Sequence, residues 1–326
     1  MSNNFGKIFR LTIFGASHAE SVGITIEGAP KGIALSSDMF LADLDRRRPS
    51  LSGETARREE DIPVIEGLST DGKTTGEAIT ITFKNSDKRS GDYSHLCLHP
   101  RPSHADLVQI RKYGNDADIA GGGMASGRMT VALVAAGVVA KKVLGNVTFT
   151  THLAAVNGVT ESSMFNDIIS SAARDGDSVG GIIECRVKGI EPSLGEPFFD
   201  SAESLIAHLL FSVPAVKGVE FGDGFEVARK RGSQNNDCIC NAEGKTATNH
   251  AGGIVGGITN GNEIVVRVAV KPTASISREQ QTYNFENGAV EPLIIKGRHD
   301  VCIALRAAVV IESAIAIALA DLKLRA

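Results

Sequence analysis

The C-terminal stretch RAAVVIESAIAIALADLKL, residues 306–324, limits more than any other feature how this chain can fold. Its apolar residues cover nearly the whole circumference of a helix instead of one stripe. A helix with this pattern is buried on all sides, in the interior of a large protein or in a membrane. No run in the chain approaches the roughly 18 consecutive apolar residues of a membrane span. We therefore expect a helix enclosed between layers of secondary structure.

Strand-like segments supply those layers. Apolar residues alternate with polar or β-branched ones, as in half-buried strands, in residues 7–15, 77–85, 180–190 and 262–270. Helical patterns with capping or terminating residues occupy residues 36–48, 126–145 and 201–213. These patterns predict antiparallel sheets around a buried helical layer.

One internal repeat bears on the domain organisation. SVGITIEGAPKGI (21–33) and SVGGIIECRVKGI (178–190) agree at eight of thirteen positions, and an amphipathic helix follows each. A duplicated strand and helix unit would give pseudo-symmetric halves that share their sheets and helices. We therefore expect one large domain over residues 1–326, without a linker.

Charge and cysteine content narrow the class of partner and the compartment. The formal charge is −4, from 34 basic and 38 acidic residues, which argues against a nucleic-acid or membrane surface and favours a small molecule. The five cysteines are scattered without a C-x-x-C pair, so no disulfide framework is indicated. The start, MSNNFGKIFRL, lacks the apolar region of a signal peptide. A cytoplasmic protein is expected.

GLSTDGKT, residues 67–74, satisfies the G-x-x-x-x-G-K-[ST] pattern of a phosphate-binding P-loop. Such a loop needs a helix directly after it, because the free N–H groups at the helix N-terminus bind the phosphate. Here Ile79, Ile81 and Phe83 alternate with polar residues, as in a strand. A D-G turn between two strands is the favoured interpretation, and a P-loop nucleotidase is the competing hypothesis.

A histidine-rich segment raises the question of a metal. His95, Cys97 and His99 would lie on one face of a strand, with the spacing of metal ligands. Pro100 and Pro102 interrupt the segment, and no second ligand pair completes a tetrahedral set. Loop histidines bonded to backbone are the commoner explanation, and no metal is predicted.

Three further clusters suit anions or acid and base chemistry, although each also has an ordinary structural explanation. Residues 43–61 hold five arginines at and after a helix end, where the helix dipole also favours cations. Residues 120–130 form a glycine loop that opens a helix, where amides bind anions or simply make a turn. Residues 296–308 place an Arg-His-Asp run before the final helix, as general base or as helix cap.

Taken in order, a set of motifs covers nearly the whole chain and resembles the chorismate synthase family. The motifs are FGASHAESVG, DLDRRRP, RPSHADL, KYGNDADIAGGGMASGRMT, DSVGG, GEPFFD, VPAVKGVEFGDGF, NHAGGIVGGI, KPTAS and GRHD. The resemblance implies an α+β fold, a β-α-β sandwich whose antiparallel sheets enclose a helical layer with an internal pseudo-two-fold duplication. It also implies a homotetramer.

The activity implied by the resemblance is a lyase reaction of the shikimate pathway. 5-Enolpyruvylshikimate-3-phosphate would lose phosphate and a ring proton by trans-1,4 elimination to give chorismate. Reduced FMN would be required, without net oxidation or reduction. Whether the protein reduces its flavin itself with NADPH or depends on an external flavin reductase stays open.

The resemblance assigns roles to individual residues. It makes His18 the donor of a proton to the leaving phosphate, places His104 at the pyrimidine end of the flavin, and places Asp300 where the ring proton is removed. Substrate binding falls to Ser17, Arg47, Arg48, Arg57, Arg101 and Arg128. Flavin binding falls to Met124, Ala125, Ser126, Gly256, Lys271, Pro272, Thr273, Ala274, Ser275 and Arg298.

Four positions depart from the family pattern, and one of them, Met124, stands where a polar or basic residue is frequent. Ala16 and Ala19 replace the acid and the second glycine of the usual G-E-S-H-G signature. Gly53 stands where some members have an arginine, which leaves Arg57 as a substitute. These departures motivate a second hypothesis, in which the chain binds flavin or anions on the same scaffold with impaired catalysis.

Overall fold

The structure, a computed structural model, describes residues 3–49, 54–55, 57, 59–87, 96–295, 297 and 299–326. The predicted flavin contact Arg298 lies outside the described residues, as do Gly53 and His95.

Two antiparallel sheets form the outer layers, as the alternating segments predict. The strands are β1 (Asn4–Phe5), β2 (Arg10–Gly15), β3 (Ser21–Glu27), β4 (Val64–Glu66), β5 (Ile79–Lys84), β6 (Thr148–Val156), β7 (Gly181–Lys188), β8 (Val216–Phe221), β9 (Ile254–Val255), β10 (Ile258–Thr259), β11 (Ile264–Val270), β12 (Gln280–Asn284) and β13 (Ala289–Leu293). The first sheet has the order β1-β2-β3-β5-β4 and the second β6-β7-β11-β8, while β9 with β10 and β12 with β13 form small ribbons.

The described residues form seven α-helices. They are α1 (Asp38–Arg47), α2 (Asp106–Tyr113), α3 (Thr130–Leu144), α4 (Phe165–Arg174), α5 (Ala202–Ser212), α6 (Gly232–Asn235) and α7 (Ala304–Arg325). Helix α3 packs on β3 and β5 of the first sheet, α7 packs on β6 and β7 of the second, and the two helices pack on each other. Every residue of α7 from Val309 to Leu322 is buried. The expected buried helix and the α+β class are both confirmed.

The repeated segments occupy equivalent places in the two sheets. The first copy contains β3 and the second contains β7, and each is an interior strand of its sheet. The helices that follow, α1 and α5, both pack against α7. This arrangement is what a duplicated strand and helix unit predicts.

The P-loop-like segment is a turn. Strands β4 and β5 on either side of it pair in antiparallel register, with Ile65 opposite Ile81. Gly72, at a φ of 74°, donates its N–H to the carbonyl of Ser69 at 2.9 Å. Because a strand follows where a phosphate loop needs a helix, the hairpin interpretation is confirmed.

An ion-pair cluster around the buried Glu312 holds α1, α3 and α7 together. Glu312 of α7 receives both terminal nitrogens of Arg46 at 2.8 and 2.7 Å and also accepts from Lys141 of α3. Lys141 donates in addition to Asp43 of α1 at 2.6 Å. Burial opposes ionisation of Glu312, but Arg46 and Lys141 outweigh it and lower its pKa to about 2. The three helices are therefore fixed in register.

Helices α3 and α7 approach most closely at Gly137, where a Cβ would lie 2.4 Å from the Cβ of Ser313. We expect Gly137→Ala to lower the free energy of unfolding by about 1–2 kcal/mol, because overpacking outweighs the gain in helix propensity. Urea denaturation measures the change.

Gly232→Ala is the matched control, since nothing lies within 4 Å of a Cβ at that position, and its stability should match that of the parent. Adding Ser313→Gly to Gly137→Ala should recover part of the loss. An unchanged midpoint for Gly137→Ala would contradict the close helix contact.

Candidate active site

A cavity of about 570 Å³ opens where the N-terminal ends of α3 and α7 meet the segments after β11 and before β8. Among the described residues, seven cationic side chains line it, namely Arg47, Arg57, Arg101, Arg128, Lys217, Lys271 and Arg306. Three carboxylates, Glu59, Asp61 and Asp300, oppose them. The excess of positive charge suits a ligand with several negative charges.

Arg47 and Arg128 share one buried carboxylate. Arg47, Asp61 and Arg128 are 3%, 2% and 5% exposed. Arg47 donates to Asp61 Oδ2 at 2.7 Å, and Arg128 donates to the other oxygen. Burial and the neighbouring cations lower the pKa of Arg47 to about 10, although the negative charge of Asp61 acts to raise it. Both guanidinium groups are thus held rigidly at the cavity wall.

The remaining donors of Arg47 point to a ligand. Its Nε and Nη1 are buried and have no hydrogen-bond acceptor within the described parts of the chain. Buried polar groups in native proteins almost always have a partner, so such an exception calls for an explanation. An anion bound in the cavity beside Arg47 supplies one, because two free donors of a guanidinium match the oxygens of a phosphate or carboxylate.

Asn85 connects Arg128 to the loop that carries His18. Its side-chain oxygen accepts from Arg128 Nε at 2.8 Å. Its side-chain nitrogen donates to the carbonyls of Ala16 and Ala19 at 3.0 and 2.9 Å. The loop is therefore held through backbone atoms, which do not depend on the side chains at positions 16 and 19.

His18 lies directly against the glycine loop that precedes α3. A Cβ on Gly121 would lie 2.2 Å from His18 Cε1, so only glycine fits there. Gly121 also has a φ of 59°, a conformation that glycine adopts without strain. Arg57 fixes the residue before His18, donating to Ser17 Oγ at 2.9 Å and to its carbonyl at 3.0 Å.

His104 lies on the other side of the same loop. A Cβ on Gly122 would lie 3.5 Å from His104 Cε1, at ordinary contact distance. The ring nitrogen Nδ1 is 2.7 Å from Asp106 Oδ1. Arg101 holds Asp106 through two side-chain bonds of 2.7 Å and donates to Ser275 Oγ at 3.0 Å. The two predicted catalytic histidines therefore lie on neighbouring glycines.

Asp300 lies at the start of α7 with both oxygens engaged. Arg306 donates to them at 2.9 and 2.7 Å, and the backbone N–H of Thr55 donates at 3.0 Å. His299 beside it also lines the cavity. Burial, and then the charge of Arg101, lowers the pKa of His299 to about 4, so its ring is neutral at neutral pH.

The segment Lys271 to Ser275 forms the opposite wall, as expected. Lys271 donates its ammonium to the carbonyl of Ser103 at 3.3 Å and its N–H to that of Ala215 at 2.9 Å. Burial, reinforced by Lys217, lowers the pKa of Lys271. Ser103 and Ala215 have φ values of 56° and 76°, and such conformations are concentrated at functional sites.

The structure does not bring every predicted residue to the cavity. Ser17 and His18 lie against Gly121, which lines the cavity, but they are not themselves among the lining residues. Arg48 bonds to Asp45 and to the carbonyl of Glu60, and it lies outside the cavity lining. Gly256 lies in the turn between β9 and β10, also outside the lining. Within the described residues no three His, Cys, Asp or Glu side chains form a possible metal site.

Several residues of the site escape sequence reasoning. They are Asp61, Asn85, Lys217 and Arg306, of which Asn85 borders the cavity and the others line it, whereas His299 belongs to the Arg-His-Asp run that the sequence already indicates. The only local signal is that Asn85 directly follows an alternating strand. Asp61 and Arg306 occur in charged or helical stretches where a solvent-exposed side chain is the ordinary expectation.

The fold and the site define an enzyme that acts on a small anionic molecule in a cationic cavity with two histidines. The family model for chorismate synthase matches residues 9–324. The chain belongs to the chorismate synthase family, and it is therefore a lyase.

Individual relatives agree with this assignment. A chorismate synthase from Chitinophaga pinensis is 53% identical over 323 residues, which cover 99% of this chain and 96% of the relative. One from Dehalococcoides mccartyi is 39% identical over 356 positions, covering 100% and 98%. A crystal structure of chorismate synthase superposes with a TM-score of 0.75 at 26% identity, over 98% of this chain and 93% of that one.

Of the helices in the described residues, none combines the length and apolar character needed to cross a bilayer.

Because Gly121 supports the His18 ring, we expect Gly121→Ala to lower kcat at least about 10-fold, since a misplaced general acid loses much of its effect. Chorismate formation by the purified variant is the measurement. Gly114→Ala is the matched control, because Gly114 has a similar φ of 58° but nothing lies within 4 Å of a Cβ at that position. Equal losses in the two variants would contradict the specific contact with His18.

Proposed function

We propose that the cavity binds 5-enolpyruvylshikimate-3-phosphate together with reduced FMN and eliminates phosphate to give chorismate. The observation that carries this proposal is the pair of buried, unpartnered donors on Arg47, at a wall it shares with Arg128. They are the groups that a multiply charged substrate would satisfy.

Positive charge near the leaving group is what the elimination needs. The C–O bond to phosphate breaks, so negative charge grows on the departing oxygen. Arg47 and Arg128 are already desolvated and fixed by Asp61, so they stabilise that charge without reorganising. His18, held against Gly121, would donate a proton to the leaving phosphate.

Removal of the ring proton would fall to Asp300. Its oxygens accept hydrogen bonds from Arg306 and Thr55, which fix the direction of the carboxylate. Oδ1 already accepts two of these hydrogen bonds, whereas Oδ2 accepts one and keeps a lone pair that can take a proton from a ligand. Asp300 lines the cavity just before α7, and His18 lies beside Gly121 of the glycine loop, so the proposed base and acid are held by different elements.

The residues present fit a flavin with a phosphate tail. Met124, Ala125 and Ser126 line the cavity where the glycine loop enters α3, and Lys271 to Ser275 line the wall across from it. The loop presents backbone amides and the helix N-terminus to an anion. A volume of about 570 Å³ is within the roughly 300–1,000 Å³ of small-molecule sites. Reduced FMN would supply electron density transiently, and His104 would hydrogen-bond its pyrimidine end.

The impaired-homologue hypothesis is not favoured. The relatives bear the name chorismate synthase and match over nearly the full length. The substitutions that motivated it, Ala16 and Ala19, contribute carbonyl oxygens to Asn85. Any residue at these positions offers the same carbonyl, so the position of His18 survives the exchange.

Three further properties complete the proposal: how the chain assembles, where it is located and how its flavin is reduced. We propose a homotetramer, because Phe198 and Phe199 are 85% and 92% exposed and exposed aromatic pairs are typical of interfaces. Five free thiols agree with a cytoplasmic location. The flavin would be reduced either by NADPH on the protein itself or by a separate reductase.

The first test is an anaerobic assay of the purified protein with the substrate and FMN. We expect chorismate with dithionite as reductant and none without FMN. His104→Ala should lower the rate by about 10²-fold, as loss of a general acid does. Replacing dithionite by NADPH decides whether flavin reduction is intrinsic. Undetectable turnover under all reducing conditions would eliminate the proposed activity.

The second test uses two neighbouring arginines. Arg47→Ala should raise KM and lower kcat/KM by about 10 to 100-fold, which corresponds to the loss of a charge-assisted hydrogen bond. Arg48→Ala should have a clearly smaller effect, because its guanidinium lies outside the cavity lining. A larger effect of Arg48→Ala than of Arg47→Ala would argue against anion binding at the Arg47 donors.

A further inference from the structure

A buried carboxylate stands behind His104 and does not reach the cavity. Asp106 is 1% exposed and is not among the residues that line the cavity, whereas His104 is. Its Oδ1 lies 2.7 Å from His104 Nδ1. Asp106 therefore touches the histidine but cannot touch a ligand in the cavity.

The carboxylate is held from its other side by Arg101. The backbone N–H and Nε of Arg101 both donate to Oδ2, at 3.2 and 2.7 Å, and a terminal nitrogen donates to Oδ1 at 2.7 Å. Arg101 continues to Ser275 Oγ at 3.0 Å. This series of contacts joins His104 to the wall formed by residues 271–275.

The charge state of Asp106 fixes the direction of the bond. Burial opposes its ionisation, but the hydrogen bonds from Arg101 and His104 outweigh burial and lower its pKa. An ionised carboxylate can only accept. The Nδ1 atom of His104 must therefore carry a hydrogen and donate it to Oδ1.

We propose that Asp106 is a positioning residue for His104: it holds the ring in the tautomer protonated on Nδ1, so that Nε2 is the nitrogen that serves the reaction in the cavity. A Cβ on Gly122 would lie 3.7 Å from Nε2, which places this atom beside the glycine loop. Aspartates behind catalytic histidines act in this way in other enzymes. The proposal rests on the proposed role of His104.

A purely structural role is the competing explanation. Asp106 is the first residue of α2, where acidic residues are favoured, and its ion pair with Arg101 could simply stabilise the loop. The two roles differ in one observable, which is the protonated nitrogen of the His104 ring.

Asp106→Asn distinguishes them. Two donors of Arg101 face the Oδ2 position and one faces Oδ1, so the amide oxygen should take the Oδ2 place and the amide nitrogen should face His104 Nδ1, with loss of the bond from the terminal nitrogen of Arg101. A donor there forces the neutral ring proton to Nε2. We expect ¹⁵N NMR of histidine-labelled protein, at a pH where the ring is neutral, to show protonated Nδ1 in the parent and protonated Nε2 in the variant. The His104→Gln spectrum assigns the signal.

If the proposal is right, the change of His104 tautomer in Asp106→Asn should also lower the activity. We expect kcat of Asp106→Asn to fall by about 10²-fold, as for loss of acid or base catalysis, with a much smaller change in KM. Asp116→Asn is the same exchange at an exposed site, in the short 3-10 turn that follows α2. This variant should keep the parent's activity and the parent's His104 tautomer. A fall in kcat with Nδ1 still protonated would assign Asp106 to structure alone and overturn the proposal.

The role of Asp106 can still be decided if the variant does not fold or if the parent protein is inactive. If Asp106→Asn does not fold, the parent spectrum decides, because a neutral His104 protonated on Nε2 overturns the proposal and one protonated on Nδ1 supports it. If the parent forms no chorismate, the proposed function fails, whereas the tautomer measurement still decides what Asp106 does to His104.

Discussion

The close contact of α3 and α7 is the constraint on which the site depends. Gly137 and Ser313 let the two helix axes approach until the backbones nearly touch, and Glu312 locks the approach through Arg46 and Lys141. Each helix begins at the cavity, α3 after the glycine loop and α7 after Asp300. The contact at the middle of the helices therefore fixes the glycine loop and Asp300 relative to each other. Because His18 lies against that loop, the contact also fixes the separation of the proposed acid and base, which catalysis needs to be held within fractions of an ångström.

The buried charged groups at the cavity wall lower the stability of the fold. Taking Arg47, Asp61 and Arg128 out of water costs several kcal/mol per ion, and the attraction among them only partly offsets this. A fold selected for stability alone would gain from apolar residues at these positions. The arrangement makes sense if the arginines stabilise charge that develops during the reaction, because fixed, desolvated cations do so without rearranging.

Local patterns in the sequence predict the elements but not the contacts between them. Alternation and capping depend on neighbouring residues, so β3, β5, α3 and α7 were predictable, as was the turn at residues 67–74. Asp61 and Asn85 could not be found in this way, because Arg128, which gives each its role, is more than 40 residues away. Arg47 and Arg48 are adjacent in sequence, yet they project in different directions at the end of α1, and only the first lines the cavity.

The glycine loop shows how one sequence feature satisfies two demands. Its amides at the start of α3 suit an anion, which is the reason that the pattern suggests from sequence. The structure adds a steric reason, because His18 occupies the space of a side chain at Gly121 and His104 rests on Gly122. Gly121 leaves the space that His18 occupies, whereas a Cβ on Gly122 would lie at ordinary contact distance from His104, so there the φ of 87° and not the histidine favours glycine. The loop therefore fixes the positions of the two histidines relative to each other.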